Sequence, residues 1–415
     1  MYIFCFRRHK PRIYIKDAGN LRLLYTEEKS IHLEGRKACA QRFITHLEFM
    51  CKCHSSRLKI GMLSTYPPHR CGIGTYTKYF VDELKKSMHV EVIQIDKPSS
   101  CNPLYFLELA RKVKGNDIVH VQHEYGLFGF NAFLIPYLYI APLVFLYLRF
   151  PRGPRIITTL HTVNQKSLLL FLLPNFFIMR FSDLLIVHTK TAKRLLKRFG
   201  IKEKKISVLP HGSYQYPKKL DKNDCKKILG LNDKKVILVF GFVCKWKDYK
   251  IIIDILPSLG KETMLLIAGG PRKKKDIPYY RNLTKYVGRL NLERQVLFHG
   301  YVEEKMLPIV FNSAEIAVLT NKNTTQSGVL NLILGFKIPA IAPRINYFQE
   351  IKDEYDCIDL YKPYDRGDLK KKVAQLLNNN ERKAYLRYKA GHYWHERQWK
   401  KVASQSITLY SRWTR

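Results

Sequence analysis

The sequence predicts an α/β chain of two tandem domains, each a parallel sheet with helices on both faces. Short runs rich in Val and Ile recur from Leu58 to Ala342, and they are apolar almost throughout rather than alternating, as in strands covered on both sides. The intervals between them leave room for crossover helices. A length of 415 residues also suits two domains, because single cores rarely grow past about 250–300 residues.

In chain order, residues 1–57 form a polar, basic extension of weak periodicity, with 13 Lys/Arg against 5 Asp/Glu over residues 1–60. Leu58–Leu63 opens the first domain, 58–215, and Val90–Ile95, Ile118–Gln122, Ile156–Thr159, Leu184–Val187 and Ile206–Leu209 supply its further strands. A linker-like stretch, Tyr214–Asp224, leads to a helix beginning near Asp224. The pattern restarts at Val236–Phe240 and repeats at Met264–Ala268, Val296–Phe298, Ile316–Leu319 and Pro339–Ala342, which defines a second domain at 216–390. The final segment, 391–415, holds an amphipathic helix over Trp394–Tyr410.

With 72 Lys+Arg against 34 Asp+Glu, the formal net charge is +38. Such an excess calls for an anionic partner: nucleic acid, an acidic membrane surface or a phosphorylated small substrate. General lysine bias is the bland alternative. A hydrophobic fraction of 46% excludes a disordered polycation. Nine scattered cysteines without a Cys-x-x-Cys pair speak against zinc ribbons and thiol redox sites, and for a reducing compartment. The start, MYIFCFRRHKPR, has no apolar core of signal-peptide length. Phe128–Leu148 is free of charge for 21 residues, long enough for a membrane span. Its place between two strands makes it a crossover helix instead. Together with Ser167–Met179 it carries more Leu, Phe and Tyr than one core-facing helix needs, and an exposed apolar surface beside Lys and Arg is expected.

Several motifs sit at strand ends. Ser64–Thr75 (STYPPHRCGIGT) places Gly72 and Gly74 at the entry to a helix, where free N–H groups suit an anion, although any strand-to-helix turn would also favour glycine. Histidines end three strands: His120 with His123 and Glu124, then His161, then His211. His120 and His123 fall on opposite faces of an extended strand, which argues against a shared metal. A lone histidine is most often a hydrogen-bonded core residue, but three such sites at carboxyl ends favour a cleft. In the second domain Gly241 ends a strand with Lys245 and Lys247 just beyond, Gly269 and Gly270 follow the next strand, and Ser327 and Gly328 open a helix. Arg272–Lys275 reads as a solvated loop. No Asp-x-Asp occurs, so a phosphate would be neutralised by Lys, backbone N–H and helix dipoles rather than by a carboxylate-held metal.

Taken in order, STYPPHRCGIGTYT, VHVQHEYGLFG, TLHTVN, VLPHG, FGFVCKWKDYK, LLIAGGP, FHGYV and SGVLNLILGFKIPAIA resemble the retaining nucleotide-sugar glycosyltransferases of family 4 over about residues 58–410. The resemblance implies the GT-B fold, two Rossmann-like domains facing across a cleft. It also implies transfer of a hexose from a nucleotide diphosphate sugar to a glycan or lipid-linked acceptor, with retention and without a cofactor or metal. The expected setting is cytoplasmic, peripheral on the inner face of an anionic membrane. Gly72, Gly74, Gly241, Lys245, Gly269, Gly270, Ser327, Gly328 and Val329 would then contact the donor. His161 would stand near the transferred sugar and Lys247 would clamp the diphosphate, while His120, His123, Glu124 and His211 are acceptor-side candidates. The final helix would cross back to the first domain. Phe242 stands where many members carry Arg, and Thr324 and Leu332 stand where they carry a glutamate pair. Some members use a serine–glycine loop in place of the first glutamate. These departures leave an inactive glycosyltransferase-like binding subunit as the rival reading. The charge alone leaves a nucleic-acid-binding protein, without any recognised motif to support it.

Overall fold

The computed structural model describes residues 2–7, 10–17, 20–25, 58–69, 71–129, 135–213, 220–272 and 274–412. Two units are present, Met1–Ser56 and Arg57–Arg415. In the first, β1 (Tyr2–Arg7), β2 (Lys10–Asp17) and β3 (Asn20–Tyr25) form an antiparallel sheet in the order β1-β2-β3, with Arg7 opposite Lys10 and Asp17 opposite Asn20. The sequence reading found no elements here. Basic residues break up β2 and β3, and in β1 Arg7 ends a run of only five residues, too short to stand out in a strongly basic segment. Residues 26–57 of the expected extension lie outside the described residues.

The second unit holds two six-stranded parallel sheets. The first comprises β4 (Lys59–Ser64), β5 (His89–Gln94), β6 (Ile118–His123), β7 (Arg155–Leu160), β8 (Leu184–Val187) and β9 (Ile206–Val208), in the order β5-β4-β6-β7-β8-β9. The second comprises β10 (Lys235–Phe240), β11 (Thr263–Ala268), β12 (Val296–Gly300), β13 (Ile316–Val318), β14 (Ala340–Pro343) and β15 (Asp359–Tyr361), in the order β12-β11-β10-β13-β14-β15. Only β15, three residues long with an Asp, escaped the apolar-run criterion. The strand order reverses between β4 and β6 and between β10 and β13, and ligands of such sheets bind beyond the carboxyl ends at those points. Apolar side chains on both sheet faces hold the helices. The helix Gly72–Leu84, for example, buries Tyr76, Phe80, Val81 and Leu84 on one stripe.

The apolar run after β6 contains the helix Ile135–Arg149, with Pro142 inside it. Residues 130–134 of that run lie outside the described residues, as do 214–219, which include the expected boundary near 215. Among the described residues no helix is long and apolar enough to cross a membrane. The helix expected near Asp224 is Lys222–Ile228, capped by Asp221, whose carboxylate accepts from the N–H groups of Asn223 and Asp224.

The tail differs from its expected single helix over Trp394–Tyr410. Asn380–Glu396 is one helix, packed on Gly328–Gly335 of the second sheet's layer, and Trp399–Ser411 is another, packed on Gly72–Leu84 of the first. The break falls at Arg397–Gln398. There the carbonyl of Arg397 accepts from Ser213 N at 2.6 Å, and Gln398 is extended (φ −58°, ψ 139°). Beyond the break, Trp399 lies so close to Gly212 that a Cβ there would fall 2.3 Å from the indole. Gly212→Ala is therefore expected to destabilise the protein by about 1–3 kcal/mol. Gly115→Ala, with nothing within 4 Å, is the control expected to be neutral or slightly stabilising. Urea titration of both variants reads the difference.

Candidate active site

Lys247 is the centre of the second domain's strand ends. Beyond β10, Gly241 adopts φ +97°, and a Cβ on Gly269 would fall 2.1 Å from the Gly241 carbonyl oxygen, so only glycine permits this approach. Backbone bonds hold the loops together, from Gly241 N to Ala268 O and from Val243 N to Gly270 O, each 2.9 Å. The Lys247 ammonium donates to Phe240 O at 3.0 Å. A Cβ on Gly241 would lie 3.0 Å from both Lys247 Nζ and Val329 Cγ2. Gly241, Gly269, Lys247 and Val329 thus meet at one point, with Gly270 buried beside it. Lys247 is only 7% exposed, and burial pushes its pKa down to about 8. Among the described residues no carboxylate pairs with it. Lys245, by contrast, is exposed and stands outside this cluster.

Ser327 caps the helix Gly328–Gly335, its hydroxyl accepting from Leu330 N at 3.1 Å. Gly328 opens toward the first domain: a Cβ there would lie 3.8 Å from His211 Nε2. The Thr324 hydroxyl donates to Gln326 O and Leu332 packs into the apolar core, so neither supplies a polar group to the cleft. Phe242 is covered by Arg272, whose guanidinium carbon sits 6.0 Å from the ring centroid. Arg272 is itself exposed, as the solvated-loop reading expects. Lys274 and Lys275 are exposed, and Lys273 lies outside the described residues.

In the first domain β6 is buried along its whole length, so its polar side chains need partners. His120 meets the Tyr410 hydroxyl through Nδ1 and the Thr159 hydroxyl through Nε2, both at 2.7 Å. On the opposite face, Nε2 of His123 meets the Tyr137 hydroxyl at 2.9 Å, with Tyr125 and Phe128 around the ring. Burial pushes each down to about 3. Both were acceptor-side candidates. Both are instead enclosed in packing, because a central strand covered on two faces leaves neither side open.

His161, one residue past β7, is buried. Its Nε2 meets Gln122 Oε1 at 2.8 Å, Nδ1 faces His188 Nε2 at 3.4 Å, and its ring stands edge-on to Tyr76 at 4.8 Å. Burial, then the neighbouring His188 and His211, holds its pKa well below the usual histidine range. What His161 offers the cleft is its carbonyl, which accepts from Thr325 Oγ1 of the second domain at 3.4 Å. His211 bonds Gly212 O through Nδ1 at 2.7 Å and also meets Tyr76 edge-on. Glu124, partly buried, accepts from Thr162 Oγ1 at 2.6 Å and from Tyr125 N at 3.1 Å. Burial raises its pKa, opposed by those two bonds and by the charge of Arg272 from the second domain. Gly72 and Gly74 form the first turn of the helix Gly72–Leu84, where Cys71 provides no side-chain cap. Gly74 packs on the Tyr66 backbone and Gly72 faces open space.

Sequence reasoning missed Gln122, His188 and Arg272. A signal existed for His188, which follows β8 directly, as His161 follows β7. Among the described residues no three His, Cys, Asp or Glu side chains gather as a metal site.

Two six-stranded parallel sheets in tandem, each covered by helices, are the architecture of the GT-B class of fold. Solved structures share it: HepE of Anabaena in complex with UDP and glucose (15% identity, 86% of this chain and 100% of that one, TM-score 0.68), and sucrose-phosphate synthase of Thermosynechococcus elongatus (16% identity, 86% and 99%, TM-score 0.68). The chain matches the model described as Glycosyl transferases group 1 over residues 221–392 and Glycosyltransferase Family 4 over residues 83–213, and it is a glycosyltransferase. Mannosylfructose-phosphate synthase of Agrobacterium fabrum is 27% identical over 155 residues, 35% of this chain and 34% of that relative's length.

His120, His123, His161, His188 and His211 are all buried, and burial lowers the pKa of each in the folded state. The unfolded chain binds more protons below about pH 6.5, so stability is expected to fall with pH from there toward 4, by roughly 2 kcal/mol at pH 5 for each of His120, His123 and His211. Denaturant midpoints measured from pH 7 to pH 4.5 check this. A flat profile would remove the neutral histidine cluster from the account.

Proposed function

We propose that the protein transfers a hexose from a nucleotide diphosphate sugar to a hydroxyl of a glycan or lipid-linked acceptor, with retention of anomeric configuration. One observation carries the reading. Lys247 is a buried ammonium without a carboxylate partner, at the carboxyl ends of β10 and β11 and beside the start of the helix Gly328–Gly335. A buried, uncompensated cation is costly, and an arriving anion removes the cost. HepE was solved with UDP and with UDP-glucose, which supports a nucleotide sugar as that anion.

As the bond from the anomeric carbon to the diphosphate oxygen breaks, Lys247, Arg272 and the N–H groups at the Gly72 and Gly328 helix starts meet the developing charge. The acceptor oxygen forms its bond to the same face of the anomeric carbon, and its proton leaves on the departing diphosphate oxygen. The Gly269–Gly270 backbone and Val329 pack beside the donor, and Lys245 adds charge near the mouth. His161 acts as a positioning residue, since its ring is engaged on both nitrogens while its backbone meets Thr325. Glu124 and His211 stand on the acceptor side. The cations that serve the diphosphate in this reading are side chains of the protein. A cytoplasmic setting belongs to the proposal and is in keeping with the free thiols of Cys71, Cys225, Cys244 and Cys357.

Incubation with a panel of nucleotide sugars, reading nucleotide release and the product's anomeric proton by NMR, tests the proposal. Nucleotide binding without release from any donor would replace it with the inactive binding subunit. Lys247→Ala is expected to lower kcat/KM by about 10²-fold. Because Lys247 loses its proton as pH rises through about 8, kcat/KM of the wild type should fall on that alkaline limb, and Lys247→Arg should flatten it. Arg272→Ala should weaken nucleotide binding about tenfold, and adding Phe242→Arg to that variant should recover part of the loss. Equal affinity in Arg272→Ala and the wild type would remove Arg272 from the site.

A further inference from the structure

A basic recess and an apolar ridge share one side of the first domain. The recess, about 620 Å³ and open, is lined by Lys114, Arg149, Arg152 and Arg155, with Asp117 the one acid in its wall. It lies at the amino ends of β6 and β7, the end of the sheet opposite His161. Asp183 holds Arg149 at 3.2 Å and Arg155 at 3.5 Å, and Lys114 Nζ donates to the carbonyls of Tyr147 and Phe150. Arg152 is exposed and has no ion pair among the described residues.

From Phe150 at the edge of the recess, the ridge continues through ring contacts to Phe181 (5.8 Å), from Phe181 to Phe177 (5.6 Å) and from Phe177 to Phe176 (5.7 Å). Leu169, Leu170, Leu172, Leu173, Phe176 and Phe150 are each more than half exposed. The helix Ile135–Arg149 packs against Leu172–Phe181 and adds Tyr139, Leu143 and Leu146, exposed along one helical stripe that runs on to Phe150. At 1.5 Å per residue that helix is about 22 Å long. Ile135–Arg149, Gln165–Leu170 and Leu172–Phe181 contain no Asp or Glu, and their charges are Arg149, Lys166 and Arg180.

We propose that this side of the first domain docks on a bilayer surface bearing anionic phospholipids, with the recess taking a headgroup phosphate and the ridge entering the acyl boundary. Charge complementarity selects the occupant. A face that combines large apolar groups with basic ones, and whose three helices carry no acid, matches negative headgroups over hydrocarbon. Among the described residues no helix is long and apolar enough to cross, and docking on the surface needs none. Binding to vesicles needs neither donor nor acceptor, so the inference stands or falls apart from the transfer reaction.

The test is flotation of the full chain with phosphatidylglycerol/phosphatidylcholine vesicles and with phosphatidylcholine vesicles, at about 0.1 M and about 0.5 M salt. The wild type is expected to float with the anionic vesicles and to release partly at high salt. Leu172→Ser with Phe176→Ser should lower binding at least tenfold at both salts, while Arg152→Glu should remove mainly the salt-sensitive part. These positions are exposed, so circular dichroism and melting temperature should stay near wild type and keep the comparison valid. Absence of flotation with either vesicle overturns the proposal, as does unchanged binding in both variants. Displacement of anionic vesicles by inorganic phosphate alone would make the recess a free-phosphate site instead. A dimer in sedimentation velocity that the double variant splits would assign the ridge to a second copy of the chain.

Discussion

The second domain is organised around a lysine that has lost water without gaining a counter-charge. Lys247 gives one hydrogen bond to Phe240 O and is otherwise walled in by backbone and Val329. The wall exists because Gly241 and Gly269 bring two strand ends closer than any side chain would allow. That close approach depends in turn on the register of β10 with β11, where Phe240 pairs with Ala268. The sheet, the glycine pair and the depressed lysine pKa are therefore one construction. An ammonium in such a place favours folding less than a solvated one does, and it favours a bound anion more.

The first domain meets this construction through backbone as much as through side chains. His161 O receives Thr325, Tyr79 reaches Glu304 at 2.9 Å, and the N–H groups of Lys190 and Thr191 donate to Glu350 at 2.7 and 2.9 Å. The tail adds a second tie. Arg397 O receives Ser213 N, and Trp399 then covers Gly212 while Tyr76 meets Trp399, His161 and His211 edge-on. The residues that set the strand ends of one sheet against the other are thus drawn from four distant parts of the chain. The histidines in this layer are neutral because burial outweighs protonation, and they act as short polar props rather than as charges.

Much of the fold was legible from local pattern. Strands buried on both faces must be apolar almost throughout, and all eleven runs from Leu58–Leu63 to Pro339–Ala342 could be placed without knowing their partners; each of them corresponds to a strand from β4 to β14. β15 and the sheet β1-β2-β3 were not legible, since short or charge-interrupted strands depend on pairing rather than on composition. Gly241, Gly269 and Lys247 were readable as strand-end residues of the types that suit a phosphate. His120 and His123 were readable as lying on opposite faces of β6, but not as enclosed, because enclosure came from Tyr410 and Tyr137, far from or outside the strand itself. Arg272 looked like part of a solvated basic run, and its neighbour Phe242 looked like a lost charge. Their contact depends on the pairing of Val243 with Pro271.

By itself the sequence determined the two α/β layers, the strand ends that carry glycine, lysine and histidine, and a strongly basic surface. These follow from periodicity and residue type, which act within a few positions of the chain. Only the tertiary structure decided which strand-end residues meet: Lys247 in a glycine-walled gap, Arg272 on Phe242, His211 against the first turn at Gly328, and the leucine ridge beside the basic recess. Each of those depends on how separate segments pack, and burial, lost solvation and pKa are properties of that packing rather than of any residue alone.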